Sequence, residues 1–380
     1  MKKVLLLIAL AFCIAKEGTA QNHEIDSLTF STAKGLLIFE GYLNDVKTNF
    51  AFDTGAAMGV LNSKNVSDSD ITRKGSTKIN DSQRNSAKLD LAKINNLKIG
   101  THSLQNITSV VADMPFLYCN TAYLLGGDVI NKLNWKFDFK KNRVYISKTP
   151  FAPENDMQEM PVKIIGKRHF SPLVVQGTVI DNVLIDFGFA GNCTMDLKFS
   201  STKEIMSKIL PENIYASKSS SMGLNSISVG KTTSSFFLDS VIFGGVVVNN
   251  FKVNAMNDTQ NKIGLLFLKM SFNQMILNNT ELKYWLQPSH VAPQKQTTFD
   301  AGFYLNDKNK IEVVSLNGAA IHTAQSLNIG QTIKELNGRS AESFADKCAF
   351  LNWYAEQVKK EEFAVVTEKG EKLIIRKSVF

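Results

Sequence analysis

Hydrophobic and polar residues alternate in short runs along most of the chain, which is the pattern of half-buried β-strands. The runs at 36–41, 143–146 and 173–177 are rich in β-branched and aromatic residues, and Gly, Asn, Asp and Ser separate them. The alternation extends from about residue 28 to residue 286, and helical periodicity within it is weak and local. We therefore predict a mainly β structure over this region.

The same series of landmarks occurs twice in this region. In each copy an apolar strand ends at an aspartate, which is Asp53 in the first copy and Asp186 in the second. A short apolar run that leads to a glycine follows at a similar distance, with Gly126 in the first copy and Gly264 in the second. The shared order and spacing predict two related lobes.

Two such lobes related by a two-fold axis would bring Asp53 and Asp186 together at the axis. Two adjacent carboxylates cannot both ionise cheaply, so they share a proton. One then acts as a base that activates water, and the other as an acid that polarises a carbonyl group. The residues that follow the aspartates and would shape the supporting loops are Thr54, Gly55, Ala56, Phe187 and Gly188.

Residues from about 28 to 288 resemble the pepsin- and retropepsin-like aspartic proteases in their single-chain, two-lobe form. The motifs at 52–56 and 124–128 carry the resemblance in the first copy, and those at 185–188 and 263–268 carry it in the second. The resemblance implies two retropepsin-like β-barrel lobes that form a pepsin-like bilobal unit. It also implies an aspartic-type endopeptidase that acts on peptide or protein substrates, needs no metal or cofactor, and does not require an oligomer.

The second motif departs from the family pattern, which has Thr or Ser after each aspartate. That hydroxyl forms a hydrogen bond across the axis; Thr54 can do so, whereas Phe187 cannot. Phe189 also stands where the family usually has a small residue. The ring at position 187 could block the carboxylate pair or point elsewhere. The alternative function is therefore a weakened or inactive relative that binds peptides.

Two polar segments are candidates for the flaps that close over substrate in this family. The first lies at 78–89, where a polar tip joins two strand-like arms, and the second lies at 222–231. A mobile lid and an ordinary surface hairpin both fit these residues.

A proline-containing linker at 287–295 precedes a different segment. The order of elements in residues 297–380, including a short helix or turn at 319–327 and a helix at about 343–359, resembles a small α+β PDZ domain of the bacterial protease-associated type. The residues that would form its carboxylate-binding loop are Ala301, Gly302 and Phe303. The resemblance implies capture of a peptide as an added strand. The alternative is a packing module that binds nothing.

The first 20 residues have the features of a secretory signal. Lys2 and Lys3 precede an apolar run at 4–15, and Gly18 and Ala20 are suitably small for cleavage before residue 21. This predicts a periplasmic or secreted protein, or one associated with the cell envelope. Lipidation at Cys13 would add a membrane contact, but Phe12 precedes it where a small residue is expected. The predicted domains are thus 1–20, 25–150, 160–288 and 297–380.

Composition changes this picture little. The 380 residues carry a net charge of +8, and because no basic stripe with interleaved aromatics concentrates it, nucleic acid is not a predicted partner. The five histidines lack the spacing of metal ligands. After removal of the signal, Cys119, Cys193 and Cys348 remain. A Cys119–Cys193 bridge and three buried thiols are both open.

Overall fold

The computed structural model of this chain describes residues 25–33, 35–64, 71–80, 85–114, 121–224, 227–289, 297–317 and 326–379. Several sequence predictions fall outside these residues. They are the signal at 1–20 with Cys13, residues 81–84 and 225–226 of the two flap candidates, Cys119, and most of the short helix or turn predicted at 319–327.

In its described residues, the first lobe consists of β-strands and one short helix, Gly127–Ile130. Its strands are β1 (Asp26–Ser31), β2 (Leu37–Leu43), β3 (Val46–Phe52), β4 (Val60–Asn62), β5 (Thr72–Asn80), β6 (Ser86–Ile99), β7 (His102–Ala112), β8 (Thr121–Leu125), β9 (Asn134–Asp138) and β10 (Arg143–Ser147). In β2, Phe39 and Leu43 are buried whereas Tyr42 is exposed. This alternation is expected of a strand with one face on the core.

The second lobe has the same character. Its strands are β11 (Gln158–Met160), β12 (Lys163–Ile165), β13 (Arg168–Val175), β14 (Thr178–Asp186), β15 (Cys193–Asp196), β16 (Tyr215–Met222), β17 (Ile227–Phe243), β18 (Val246–Met256), β19 (Lys262–Gly264), β20 (Phe272–Asn278) and β21 (Lys283–Pro288). Short helices at Ser200–Ser207, Pro211–Asn213 and Leu265–Ser271 connect them. None of the helices in the described ranges has the length and apolar character needed to cross a membrane.

The two lobes share one strand order. In each, the strand that leads to the aspartate runs parallel to the strand that leads to the landmark glycine: β3 beside β8, and β14 beside β19. The sheet continues through β4, β7, β6 and β5 in the first lobe and through β15, β18, β17 and β16 in the second. The predicted mainly β structure with barrel-like sheets is therefore confirmed.

One antiparallel layer joins the lobes, in the order β11, β21, β20, β9, β10 and β1. Within it, β9 of the first lobe pairs with β20 of the second, so that Phe137 lies opposite Met275 and Trp135 lies opposite Leu277. All four side chains are fully buried. This apolar layer fixes the lobes relative to each other and so positions the ends of β3 and β14.

The C-terminal segment has its own buried cluster. Its strands are β22 (Thr297–Phe299), β23 (Ala301–Leu305), β24 (Ile311–Leu316), β25 (Thr332–Leu336), β26 (Glu362–Thr367) and β27 (Lys372–Val379), and its helices are Ala341–Ser343 and Lys347–Gln357. The longer helix begins later than the predicted residue 343 because the Asp346 side chain caps it, accepting the Ala349 amide at 2.7 Å.

The structure contradicts both of the alternatives that the sequence left open for the cysteines. Cys193 is a free thiol that is only 1% exposed, and burial raises its pKa. A Cys119–Cys193 bridge is therefore wrong, and Cys193 acts as a small core residue. Cys348 is disulfide-bonded, so the alternative of three buried thiols is also wrong.

Candidate active site

Asp53 and Asp186 lie at corresponding strand ends, where the chain turns out of β3 and β14. Asp53 Oδ1 accepts the amides of Gly55 at 2.7 Å and Ala56 at 3.1 Å. Asp186 Oδ1 accepts the amide of Gly188 at 3.0 Å. Each turn therefore holds its carboxylate with backbone donors, which fix the direction of the side chain.

The two carboxylates face each other across the junction of the lobes. A Cβ atom on Gly188 would lie 2.3 Å from Asp53 Cγ, and a Cβ atom on Gly55 would lie 2.6 Å from Asp186 Oδ1. Each glycine thus leaves the space that the opposite carboxylate occupies. Glycine is required at both positions because the loops approach so closely.

The landmark glycines pack behind the two loops. A Cβ on Gly126 would lie 2.4 Å from the carbonyl carbon of Met58, and one on Gly264 would lie 2.3 Å from the Gly191 oxygen. The backbone also links motif to loop, since the Leu265 amide donates to the Phe189 oxygen at 2.8 Å. These contacts hold the loops rigidly, as a site that must position two carboxylates requires.

The environment of Asp53 favours its protonated form. Burial raises the pKa of Asp53 to about 8, and the negative charge of Asp186 acts in the same direction. The Gly55 amide and the Lys262 ammonium oppose this shift. The direction of this shift is the one expected for a buried carboxyl group that lies beside a second carboxylate.

Thr54 links the two loops. Its hydroxyl donates to the carbonyl oxygen of Ile185 at 2.5 Å and accepts the amide of Phe187 at 3.2 Å. Thr54 is fully buried, so water does not compete for either bond. The first lobe thus supplies its half of the cross-axis network.

In the second lobe, Phe187 makes an apolar contact where a hydroxyl would form the other hydrogen bond across the axis. Its ring is fully buried, and its centroid lies 5.3 Å from that of Phe52 and 5.0 Å from that of Phe137. Both partners belong to the first lobe, so the ring anchors one lobe in the core of the other. The sequence left open whether this ring blocks the carboxylate pair or points elsewhere, and in the structure it points into the core.

Removal of the Thr54 hydroxyl is expected to weaken the junction. Thr54→Val keeps the shape of the side chain but leaves the Ile185 carbonyl and the Phe187 amide without their partner. The free energy of unfolding should fall by about 1–3 kcal/mol, measured by denaturant titration. Thr54→Ser keeps the hydroxyl and is the matched control. Equal stability of the two variants would contradict the role assigned to this hydroxyl.

A third charged residue, Lys262, contacts the pair. Its Nζ donates to Asp186 Oδ2 at 2.9 Å and lies 4.3 Å from the centroid of the Phe189 ring. The side chains of Lys262 and Asp186 are only 13% and 9% exposed. Lys262 is not among the predicted site residues. The sequence feature that could have identified Lys262 is its position in the repeat, because the first copy has Leu124 at the equivalent place.

Two hairpins lie beside the loops. The β5–β6 pair forms the arms of the first predicted flap, and the β16–β17 pair forms those of the second. Leu224, which follows β16, packs against a buried cluster of the first lobe, and Ala56 and Ile79 pack against the same cluster. The second hairpin therefore reaches across to the first lobe close to its loop.

The structure places Ala301, Gly302 and Phe303 in β23 rather than in the predicted loop. Ala301 and Phe303 are buried, because alternate residues of this strand point into the core. The Phe303 amide donates to the Tyr354 hydroxyl at 3.3 Å. Tyr354 lies on the helix Lys347–Gln357. These residues thus form a strand beside the helix, and their peptide-binding role stays a prediction.

Comparisons with known proteins give one family match and one structural match. Residues 39–129 match the aspartyl protease family model, and this segment includes Asp53, Thr54, Gly55 and Gly126. No curated protein matches the chain. The aspartic proteinase from Irpex lacteus is similar in structure with a TM-score of 0.44 and 10% sequence identity, and the match covers 70% of this chain and 98% of that one. The first lobe therefore carries the sequence signature of aspartyl proteases.

Proposed function

We propose that this protein is an aspartic endopeptidase with Asp53 and Asp186 as its catalytic residues. The observation that carries the proposal is the mutual approach of the two carboxylates, with a glycine of each loop facing the aspartate of the other. The aspartyl protease match over residues 39–129 supports it.

The reaction uses one proton shared by two carboxyl groups. A water molecule loses a proton to the ionised carboxylate while its oxygen bonds to the carbonyl carbon of the substrate. The protonated carboxyl group gives its proton to the carbonyl oxygen. The tetrahedral diol then collapses as the C–N bond breaks: a diol hydroxyl returns its proton to the carboxyl group that acted as acid, and the departing amine takes the proton that the other carboxyl group had removed from water. The raised pKa of Asp53 keeps the required proton on the pair.

We further propose that the C-terminal domain recruits the peptide. Within the described residues β23 pairs only with β24, so its outer edge faces the helix Lys347–Gln357, and an extended peptide could add there as a strand. This domain adjoins the second hairpin: Leu316 of β24 lies opposite Lys218 of β16, and the Ser220 hydroxyl donates to the Val314 carbonyl. A bound peptide would therefore be held beside the second hairpin, which reaches across to the first lobe.

Export is part of the proposal, and it rests on the features of residues 1–20. The substrates would then be peptides or proteins outside the cytoplasm. N-terminal sequencing of the protein recovered from expressing cells should find Gln21 first. Recovery of the chain with Met1 intact would contradict it.

Peptide binding without turnover is the second candidate function. The absence of a hydroxyl at Phe187 favours it, because the second lobe cannot return the hydrogen bond that Thr54 makes. The two candidates differ in whether bound peptide is cleaved.

The deciding experiment is incubation of the purified protein with a diverse peptide library from about pH 3 to 8, the range in which carboxyl pairs titrate. Mass spectrometry would detect new termini. We expect the protein to cleave peptides of the library. A peptide that has a tetrahedral, hydroxyl-bearing carbon in place of the scissile carbonyl should inhibit this cleavage, because that carbon mimics the diol. Binding of this inhibitor without any cleavage of the library would favour the second candidate.

A further inference from the structure

The two halves of the site differ in charge although their backbones are alike. Lys262 is the first residue of β19, and at the equivalent place in β8 stands Leu124, which is 2% exposed. At this position, therefore, the second lobe places a cation beside the carboxylate pair, whereas the first lobe places an apolar side chain.

We propose that Lys262 is a positioning residue that keeps Asp186 as the ionised member of the pair, so that Asp186 activates water and Asp53 is the acid. Sequence symmetry alone leaves these two roles interchangeable. The assignment of roles rests on the proposed peptidase function, whereas the ion pair and its effect on ionisation do not.

The parallel pairing of β14 and β19 fixes the lysine in place. Leu184 lies opposite Lys262, and Asp186 lies opposite Gly264. The long side chain therefore has to run along the strand for two residues to meet the Asp186 carboxylate. The Phe189 ring covers the ammonium group at 4.3 Å, which adds a cation–π contact. With both partners about nine-tenths buried, solvent screens the pair little.

The hydrogen bonds to the two aspartates indicate which one is the base and which one is the acid. Asp186 receives the Gly188 amide on Oδ1 and the Lys262 ammonium on Oδ2, so both its oxygens accept donors. Donors to a carboxylate favour its charged form. Both backbone amides at Asp53 go to Oδ1, which leaves its Oδ2 able to carry the proton. In the reaction Asp186 takes the proton of water, and Asp53 gives its own to the carbonyl oxygen.

The surrounding charges do not supply an alternative cause. Among the described residues, the charged groups that act on Asp53 are Asp186 and Lys262. Carboxylates on neighbouring elements are held elsewhere: Asp128 accepts the Gly59 amide, and Asp196 accepts the Lys198 amide. The nearby Lys269 donates to Thr32 instead.

The test is a titration of the aspartate carboxyl groups by ¹³C NMR in the full chain, with Asp53→Asn and Asp186→Asn for assignment. In the wild type, the Asp186 signal should change at the lower step and the Asp53 signal at the upper step. Lys262→Met should raise the pH of the lower step by about 1–3 units, the effect of removing an adjacent opposite charge. Lys262→Gln keeps a hydrogen-bond donor but removes the positive charge. If the charge is the cause, Lys262→Gln should shift the lower step as Lys262→Met does.

Two further variants separate charge from structure. Lys262→Arg retains the charge and should restore the wild-type titration, and Lys269→Met removes an exposed lysine and should shift nothing. An unchanged lower step in both Lys262→Met and Lys262→Gln would overturn the inference, as would an equal shift in Lys262→Arg. The acid limb of peptide cleavage should move with the NMR step. If the wild type cleaves nothing, the peptidase proposal fails, yet the titration still decides the role of Lys262 in ionisation.

Discussion

Asp53→Asn is expected to lower kcat/KM for peptide cleavage by about 10²–10⁴-fold, the usual contribution of a positioned acid or base, while the fold keeps its stability. The raised pKa of Asp53 means that its side chain is protonated near neutral pH. An asparagine amide has nearly the same shape as that neutral carboxyl group. Its oxygen can still accept the Gly55 and Ala56 amides, but it cannot give up a proton to the substrate.

Asp186→Asn should lose cleavage to a similar extent and should also destabilise the protein. It removes the negative partner of Lys262, whose ammonium group is largely buried. Breaking a buried ion pair from one side typically costs about 3–5 kcal/mol because the remaining charge is uncompensated. The two asparagine variants should therefore be alike in activity and differ in the free energy of unfolding.

Both variants can be measured by the same cleavage assay and by denaturant unfolding. Asp90→Asn is a suitable control, because Asp90 is exposed and pairs with Arg73 at the surface; it should cleave as the wild type does. Undiminished cleavage by Asp53→Asn would exclude the proposed mechanism. Equal stability of Asp53→Asn and Asp186→Asn would contradict the asymmetry that Lys262 creates.

The duplicated landmarks predicted the main features of the site because they concern the backbone. A strand that ends at Asp53 or Asp186, and a glycine that packs behind the following turn, depend on residue order and on steric limits that sequence displays directly. The shared strand order of the two lobes follows from the same pattern. The repeated strand pattern and the glycine positions were therefore sufficient to predict that the two carboxylates approach each other.

Features that depend on side-chain reach were not predictable in this way. Lys262 begins an apolar motif, and only the parallel register of β14 and β19 shows that its ammonium group meets Asp186. The direction of the Phe187 ring depends on the core of the opposite lobe. In the C-terminal domain, the resemblance to PDZ domains implied a loop at Gly302, but the buried side chains of Ala301 and Phe303 draw the segment into β23.

Phe187→Ala is expected to destabilise the protein by about 3–5 kcal/mol, the usual cost of removing a fully buried phenylalanine ring. The ring is lost from a cluster with Phe52 and Phe137, which lie on β3 and β9 of the other lobe. Since β3 leads directly to Asp53, the cavity would loosen the catalytic pair as well as the core. Cleavage should fall with stability, because small displacements of catalytic groups cost much of the rate.

Phe187→Thr distinguishes this role from that of a lost hydroxyl. If a missing hydrogen bond limited the site, threonine would restore the family pattern and raise cleavage. The structure predicts the opposite, since threonine cannot fill the space of a ring that contacts both Phe52 and Phe137. Thermal unfolding and the cleavage assay should both show a loss, whereas Phe199→Ala, at a half-exposed phenylalanine, should change neither. Wild-type stability with increased cleavage in Phe187→Thr would show that the ring obstructs the site. A loss of both stability and cleavage would show that the aromatic contact of Phe187 stabilises the junction of the lobes in place of a hydroxyl hydrogen bond.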